Sequence, residues 1–392
     1  MLVWSRQYNK KLWLIPVIIV CLGIGFVAWR YSNQAPTIVT ANITDLVGSV
    51  NGPTAAGFQR ATEPRPFDFP ADHGPHQEYQ TEWWYYTGNL QGEDGRQWGY
   101  QLTFFRRGIN AVRTERDSAW AASDVYMAHF AVTDVAGRQL LASERFQRGG
   151  DVGLAGASSD PYRVFLKDWS AQGTGDVATL RAVADRYSIN LDLRSLKPAM
   201  LQGENADGLS QKSSEVGNAS YYYSLPRMET TGTVTIDSQE YEVTGLSWMD
   251  HEWGTSALGS GQVGWDWFAL QLEDGRDLMW GQLRRADGSI DEAHGSLSSP
   301  DGTTTPLDQG AVTVTPVGTW KSDTTGATYP SRWQVNVPEA SLEIEVTPDI
   351  ADQELRLSSG AYWEGSVAVT GSVRGQGYVE LTGYGAQLQQ QR

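Results

Sequence analysis

Two nearly identical heptapeptides, LQGEDGR at 90–96 and LQLEDGR at 270–276, stand 180 residues apart and agree at six of seven positions. Each carries an Asp-Gly pair, which supplies the left-handed turn residues of a tight hairpin. Each follows an aromatic run (EWWYYTGN, WDWFA) and precedes a run that contains Trp-Gly and ends in two arginines, Arg106-Arg107 and Arg284-Arg285. Each also follows an Asp-His dipeptide, Asp72-His73 and Asp250-His251. From about residue 67 onward the chain consists of short β-type runs broken by turn signals, with further Asp-Gly pairs at 287–288 and 301–302. The expected fold is therefore all-β and antiparallel, with two similar units over 67–245 and 246–392. A unit of eight or more strands can close into a barrel, which removes exposed edges and leaves an interior for one small ligand. A pair of sandwiches is the rival arrangement.

The 392 residues include 42 Gly, 16 Trp, 17 Tyr and 10 Phe, and only 19% are charged, which excludes a disordered acidic chain or a charged coiled coil. The net charge is −16, and setting aside the four cations of residues 1–30 leaves 26 against 46, or −20, for the remainder. Such a body repels phosphate backbones, so nucleic acid is excluded as a partner and an apolar or neutral ligand is expected. The single cysteine, Cys21, allows no disulfide framework and no zinc ribbon.

Cys21 lies within LWLIPVIIVCLGIGFVAW, residues 12–29, an uncharged run that spans about 27 Å as a helix. Arg6, Lys10 and Lys11 precede it, which places the N-terminus in the cytoplasm and the body on the far side. Residues 1–30 thus read as a transmembrane anchor in the inner membrane, with a cleaved signal peptide as the alternative, and 31–66 read as a flexible tether to a periplasmic body.

DHGPHQEYQTEWWYYTGNL, residues 72–90, is the densest motif. In a strand, Trp83 and Tyr85 face one side while Glu82, Trp84 and Tyr86 face the other, so two surfaces are needed to bury them: a ligand cavity and a support, or a domain interface. His73 and His76 are too few to fix a metal site, and His129, flanked on its face by Met127 and Ala131, reads as a hydrogen-bonded core residue. No metal is expected.

GLSWMDHEWGTSALG, residues 245–259, is the chemical candidate. Asp250, His251 and Glu252 are flanked by Trp248 and Trp253, and a glycine-rich loop leads to Trp265, Asp266 and Trp267. An acid held among indoles loses solvation, which raises its pKa and lets it act as a general acid near neutrality. It could protonate an isolated C=C bond, with aromatic faces stabilising the cation before water adds. A structural junction tied by Asp250 or His251 is the plainer account. The chain has no Gly-x-Ser-x-Gly elbow, phosphate-binding glycine loop, nucleotide fingerprint or Cys/His cluster, which sets aside serine hydrolase, kinase and dehydrogenase chemistry and leaves no cofactor expected.

The ordered set DHGPHQEYQTEWWYYTGNL, GYQLTFFRRG and SWMDHEWG resembles the carotenoid 1,2-hydratase and AttH-like family over about 60–390. The resemblance implies two tandem lipocalin-like antiparallel β-barrels packed together. It implies roles for His251 and Trp253, with Asp250 beside them, and for Trp265 and Asp266. One branch of that family hydrates acyclic carotenoids without a cofactor, and another is associated with ABC transporter permeases of the lipoprotein-release type. The leading expectation is a membrane-anchored protein that binds a lipid-like or terpenoid molecule in an aromatic cleft between the barrels, with Glu82, Trp83, Trp84, Tyr85, Trp248, Trp265 and Trp267 as its walls. The alternatives are hydration of an isolated alkene by Asp250 or Asp266 with His251 and Trp253, and a subunit that presents cargo to a permease.

Overall fold

The computed structural model describes residues 57–111, 123–150, 153–255 and 258–385. The expected anchor, and the tether up to residue 56, lie outside the described residues. Among the described residues no helix is long and apolar enough to cross a membrane. Residues 57–66, expected as tether, pack onto the body instead. Phe58 and Ala61 are buried, Gln59 N donates to Glu78 O at 2.9 Å, and the Tyr221 hydroxyl donates to Glu63 O at 2.9 Å.

The described chain is all-β apart from two short 3-10 turns, Ala71–His73 and Pro338–Ala340. The first sheet contains β1 (Thr81–Gly92), β2 (Gln97–Gly108), β3 (Asp124–Asp134), β4 (Gln139–Arg148), β5 (Ala155–Ser159), β6 (Tyr162–Leu166), β7 (Trp169–Thr174), β8 (Val177–Val183), β9 (Tyr187–Ser195), β10 (Met200–Leu201), β11 (Leu209–Gln211), β12 (Ala219–Ile236) and β13 (Gln239–Gly254). The second contains β14 (Gln262–Leu272), β15 (Asp277–Arg285), β16 (Ile290–Ser298), β17 (Thr304–Leu307), β18 (Thr313–Lys321), β19 (Thr328–Val337), β20 (Leu342–Pro348), β21 (Glu354–Leu357), β22 (Gly360–Gly371) and β23 (Gly375–Leu381). The orders are β4-β3-β2-β1-β13-β12-β9-β8-β7-β6-β5 and β17-β16-β15-β14-β23-β22-β20-β19-β18, antiparallel throughout. Both sheets curl around their own aromatic and aliphatic cores, and neither pairs its two edge strands. Trp84, Tyr86, Trp98 and Trp253 fill the inside of the first. The interior expected to hold a ligand is packed with side chains.

The repeated heptapeptides form the same hairpin in each sheet. Gly92 N donates to Arg96 O and Leu272 N to Arg276 O, both at 2.9 Å, and Gly95 and Gly275 carry φ of 82° and 87°. A side chain at either glycine would be strained. The Asp-His dipeptides are not part of the repeat. Asp72-His73 lies on the 3-10 turn, whereas Asp250-His251 lies on β13 of the same first sheet. The expected changeover at 245/246 falls inside β13, which ends at Gly254, and the first strand of the second sheet begins at Gln262.

The two sheets meet over β1, β2, β3, β12 and β13 on one side and β14, β15, β21, β22 and β23 on the other. Tyr85, Tyr222 and Trp248 pack against Trp267, Met279 and Tyr378, and Met127 and Ala131 pack against Leu355 and Tyr362. A Cβ on Gly99 would lie 2.8 Å from Ser366 Cβ, so β2 approaches β22 there with no room for a side chain. Strands buried on both faces lose the polar/apolar alternation of a half-exposed strand, which is why the aromatics of EWWYY occupy both faces.

Candidate functional site

Successive residues of a strand point to opposite faces, and residues paired across a ladder share one. Trp84 pairs with His251 and Tyr85 with Asp250, so the candidate residues divide into two groups. Glu82, Trp84, His251 and Trp253 turn into the first sheet. Trp83, Tyr85, Trp248, Asp250 and Glu252 turn toward the second. On β14, Trp265 and Trp267 face the first sheet, while Asp266 faces the interior of its own.

The inward group is an ion-pair network. Glu82 Oε2 accepts from Arg106 Nε at 2.9 Å, and Oε1 accepts from His76 N at 3.0 Å and lies 3.0 Å from His251 Nε2. Arg106 also donates to Asp124 Oδ1 at 3.0 Å and to the carbonyls of His76 and Tyr79 at 2.8 Å. Burial works against the Glu82 anion, but Arg106 and the hydrogen bonds from His251 and His76 hold it far below the usual carboxylate range. His251 Nδ1 lies 3.0 Å from Asp72 O, and the His76 ring stacks on Trp253 at 3.6 Å. Donor atoms of His76, Glu82 and His251 lie within 4.8 Å of one another, yet an ion there would share Glu82 with the Arg106 guanidinium, whose charge repels it. The network places His251 and Trp253, expected beside Asp250 in the chemistry, away from the space that Asp250 faces.

Asp266 is tied into the second sheet in a parallel way. It accepts from Arg284 Nε at 2.9 Å, Gln282 Nε2 at 3.0 Å and the Tyr384 hydroxyl at 2.9 Å. The paired arginines of the repeat thus each send one member, Arg106 or Arg284, to a carboxylate inside its own sheet.

Apart from Trp248, which packs behind Asp250, the outward group lines a cavity of about 140 Å³ between the sheets, with walls of Trp83, Tyr85, Trp265, Trp267 and Met279. Four acids line it: Asp250, Glu252, Glu364 and Glu380. Asp250 Oδ1 accepts from Ser224 Oγ at 2.5 Å and Trp248 Nε1 at 2.7 Å, and Oδ2 from the Tyr222 hydroxyl at 2.8 Å, which Trp267 Nε1 reaches at 3.1 Å. Burial pushes Asp250 up to about 7 against these three bonds. Glu364 Oε1 accepts from the Tyr85 hydroxyl at 2.5 Å, while Oε2 is buried with no hydrogen-bond partner. Burial pushes Glu364 up to about 8, against the Tyr85 and Tyr362 hydroxyls. Glu380, half-buried, is raised by burial and then by Glu364. Gln101 Oε1, also on the wall, is a second buried acceptor without a partner. Near these lies the Lys212–Glu252 ion pair at 2.6 Å, beside His294, which burial and then Lys212 push down to about 3.

Glu364, Glu380 and Tyr222 were not singled out by the sequence motifs. The available signal was a glutamate inside the apolar strand AYWEGSVAV, where a charge has no reason to sit unless something meets it.

The AttH-like family profile matches residues 60–384. The chain belongs to the AttH-like family. Among solved structures, this AttH-like chain is 34% identical to a protein assigned as AttH from Nitrosomonas europaea, covering 83% of this chain and 100% of that one with a TM-score of 0.76. It shares its fold with kievitone hydratase from Nectria haematococca, at 14% identity, 84% and 97% coverage and a TM-score of 0.61. Among curated proteins it is 24% identical over 227 residues to the dehydratase asqC of Emericella nidulans, covering 53% of this chain and 60% of that protein, so the match spans less than two thirds of that relative.

Two of the raised carboxyls, Asp250 and Glu364, couple stability to pH over a defined range. Their folded pKa values lie above the unfolded ones, so the native state holds the extra protons, and their contribution is complete below the unfolded pKa and lost as pH rises through about 7 for Asp250 and about 8 for Glu364. The urea midpoint is expected to fall as pH is raised from about 6 to about 9. Glu364→Gln, which cannot ionise, should flatten the upper part of that slope, and an unchanged slope would count against a protonated Glu364.

Proposed function

We propose that the chain is a cofactor-independent hydro-lyase that adds water to, or removes it from, a C–C double bond in an apolar small molecule held between the two sheets. The observation that carries this reading is Glu364, a buried acid on the wall of an aromatic cavity with one oxygen that has no hydrogen-bond partner. The hydratase and dehydratase names of two relatives support it.

In the hydration direction the Glu364 O–H protonates one alkene carbon, and the π pair becomes the new C–H bond. The cation left on the neighbouring carbon faces Trp83, Trp265 and Trp267, whose π faces attract it. Water attacks that carbon and gives its proton to Asp250, which its three donors keep ionised above about pH 7. Dehydration runs the same steps backwards. Each turnover leaves Glu364 one proton poorer and Asp250 one richer. The pH profile should be bell-shaped, because the base must be ionised and the acid protonated, with limbs near 7 and 8.

A cavity of about 140 Å³ encloses the reacting end of a molecule and leaves the rest of a long one in the groove. The buried acids and the net charge of −16 disfavour anionic substrates. The uncharged run 12–29 behind Arg6, Lys10 and Lys11 supports a membrane-tethered body that meets such molecules at the extracytoplasmic face of the bilayer, where a transporter permease could supply them. It also favours a second reading, in which the same cavity only carries its ligand.

The deciding experiment is mass spectrometry of organic extracts from the purified full chain, before and after incubation in H₂¹⁸O. A bound compound converted to a form heavier by one labelled water, or its dehydrated counterpart, supports the hydro-lyase. A stoichiometric compound that stays unchanged overturns it in favour of carriage.

A further inference from the structure

Glu364 must recover its proton after each turnover, yet it is buried and its Tyr85 partner is buried with it. A row of groups leads outward from its neighbourhood. Tyr362, two residues away on the same face of β22, lines the same cavity, and its hydroxyl would reach the Glu364 carboxyl by turning toward the oxygen that has no partner. The Tyr362 hydroxyl lies 2.9 Å from His129 Nδ1, and His129 Nε2 lies 3.2 Å from Glu144 Oε1. Glu144 sits on β4 at the seam of the two sheets, where the exposed Ser358 donates to its Oε2 and Ser359 N donates at 3.2 Å. Its side chain keeps 7% exposure, against 0% for His129.

We propose that Glu144, His129 and Tyr362 form a proton path that recharges Glu364 from the seam between the sheets. The proposal rests on Glu364 being the acid of the reaction. At rest Nε2–H donates to the Glu144 carboxylate; with Glu144 protonated by water and His129 in its Nδ1–H tautomer, the Glu144 proton passes to Nε2 as the Nδ1–H bond breaks. The Nδ1 proton moves to the Tyr362 oxygen, and the proton already on that oxygen moves to Glu364. One proton enters, one arrives, and a tautomer change of His129 resets the row. Burial keeps His129 below its ordinary pKa in spite of Glu144, so the ring rests neutral and can both accept and donate. Burial opposes the Glu144 anion, but His129, Ser358 and Ser359 hold it below the usual range, so its resting form is the carboxylate that collects a proton. His129 and Glu144 belong to the first sheet and Tyr362 and Glu364 to the second, so the path exists only where the sheets are docked. Glu144 and His129 would be positioning residues, whereas Tyr362 lines the cavity and stands between them and the acid.

The test needs no substrate. In the full chain, the infrared carboxylic-acid C=O stretch of Glu364 is identified as the band lost in Glu364→Gln, and its shift is timed after rapid mixing into D₂O. Tyr362→Phe removes one hydroxyl and is expected to slow that exchange by about tenfold or more, with Glu144→Gln slowing it in the same direction. Should Glu144→Gln fail to fold, Tyr362→Phe decides alone. Exchange at the wild-type rate in folded Tyr362→Phe overturns the path even if the variant melts at a lower temperature, since that is the behaviour of a structural tie. If wild type shows no band that Glu364→Gln removes, the acid role falls and the path with it, whereas a band present with unaltered exchange overturns the path alone.

Discussion

Glu364→Gln is expected to lower kcat by about 10²–10⁴-fold while leaving KM within a few-fold of wild type. Glutamine matches the shape of the protonated acid and can still accept from Tyr85 at the position of Oε1. What it lacks is a transferable proton at Oε2, the atom left without a partner. Loss in kcat without loss in KM is the signature of an interaction made only in the transition state. Asp250→Asn should also slow the reaction, but it removes the other limb of the pH profile: activity would no longer rise through about pH 7. The labelled-water assay on the compound that the wild-type chain turns over checks both. Equal kcat for Glu364→Gln and wild type would remove Glu364 from the chemistry and transfer the role to Asp250 or Glu380. His251→Ala offers the contrast, because its side chain meets Glu82, Asp72 and Tyr223 and not the cavity. Its activity loss should follow the fraction of unfolded chain.

The hairpins were legible because a turn residue acts locally: Asp94-Gly95 and Asp274-Gly275 need no knowledge of the rest of the chain to set φ positive. The aromatic strand was legible in a different way. Large residues on both faces of 82–86 demanded two burying surfaces, and the structure supplies the interior of the first sheet on one side and the cavity seam on the other. The site itself was only half legible. Asp250 and His251 look like partners in a linear motif, but an extended chain turns consecutive side chains apart, so the dipeptide serves two different environments. Glu364 was hidden because its meaning lies in a contact with Tyr85, 279 residues distant. No spacing rule reaches that far, and only the docking of two sheets brings the pair together.

Arg106→Met is expected to destabilise the fold by about 3–5 kcal/mol, read as a lower urea midpoint at unchanged slope. Arg106 and Glu82 are both at 0% exposure, so water cannot replace the lost partner. The variant leaves the Glu82 carboxylate short of its main counter-charge and deprives the His76 and Tyr79 carbonyls of their donor. His76, raised by Asp72 and Glu82 against the pull of burial, supplies part of the compensation. The loss should therefore shrink as pH falls, when Glu82 can take up a proton instead of standing unpaired. Arg284→Met makes the matching change in the second sheet and should cost less. Burial already raises Asp266 in spite of Arg284, and Gln282 and Tyr384 remain to hold it, so protonation relieves that site at a milder pH. If the two variants lose equal stability at neutral pH, the inward network of the first sheet is no stronger a tie than its counterpart. His76, Glu82 and His251 would then need a reason beyond stability for their convergence, and their facing the other side of the sheet from the cavity would no longer suffice to set them outside the chemistry.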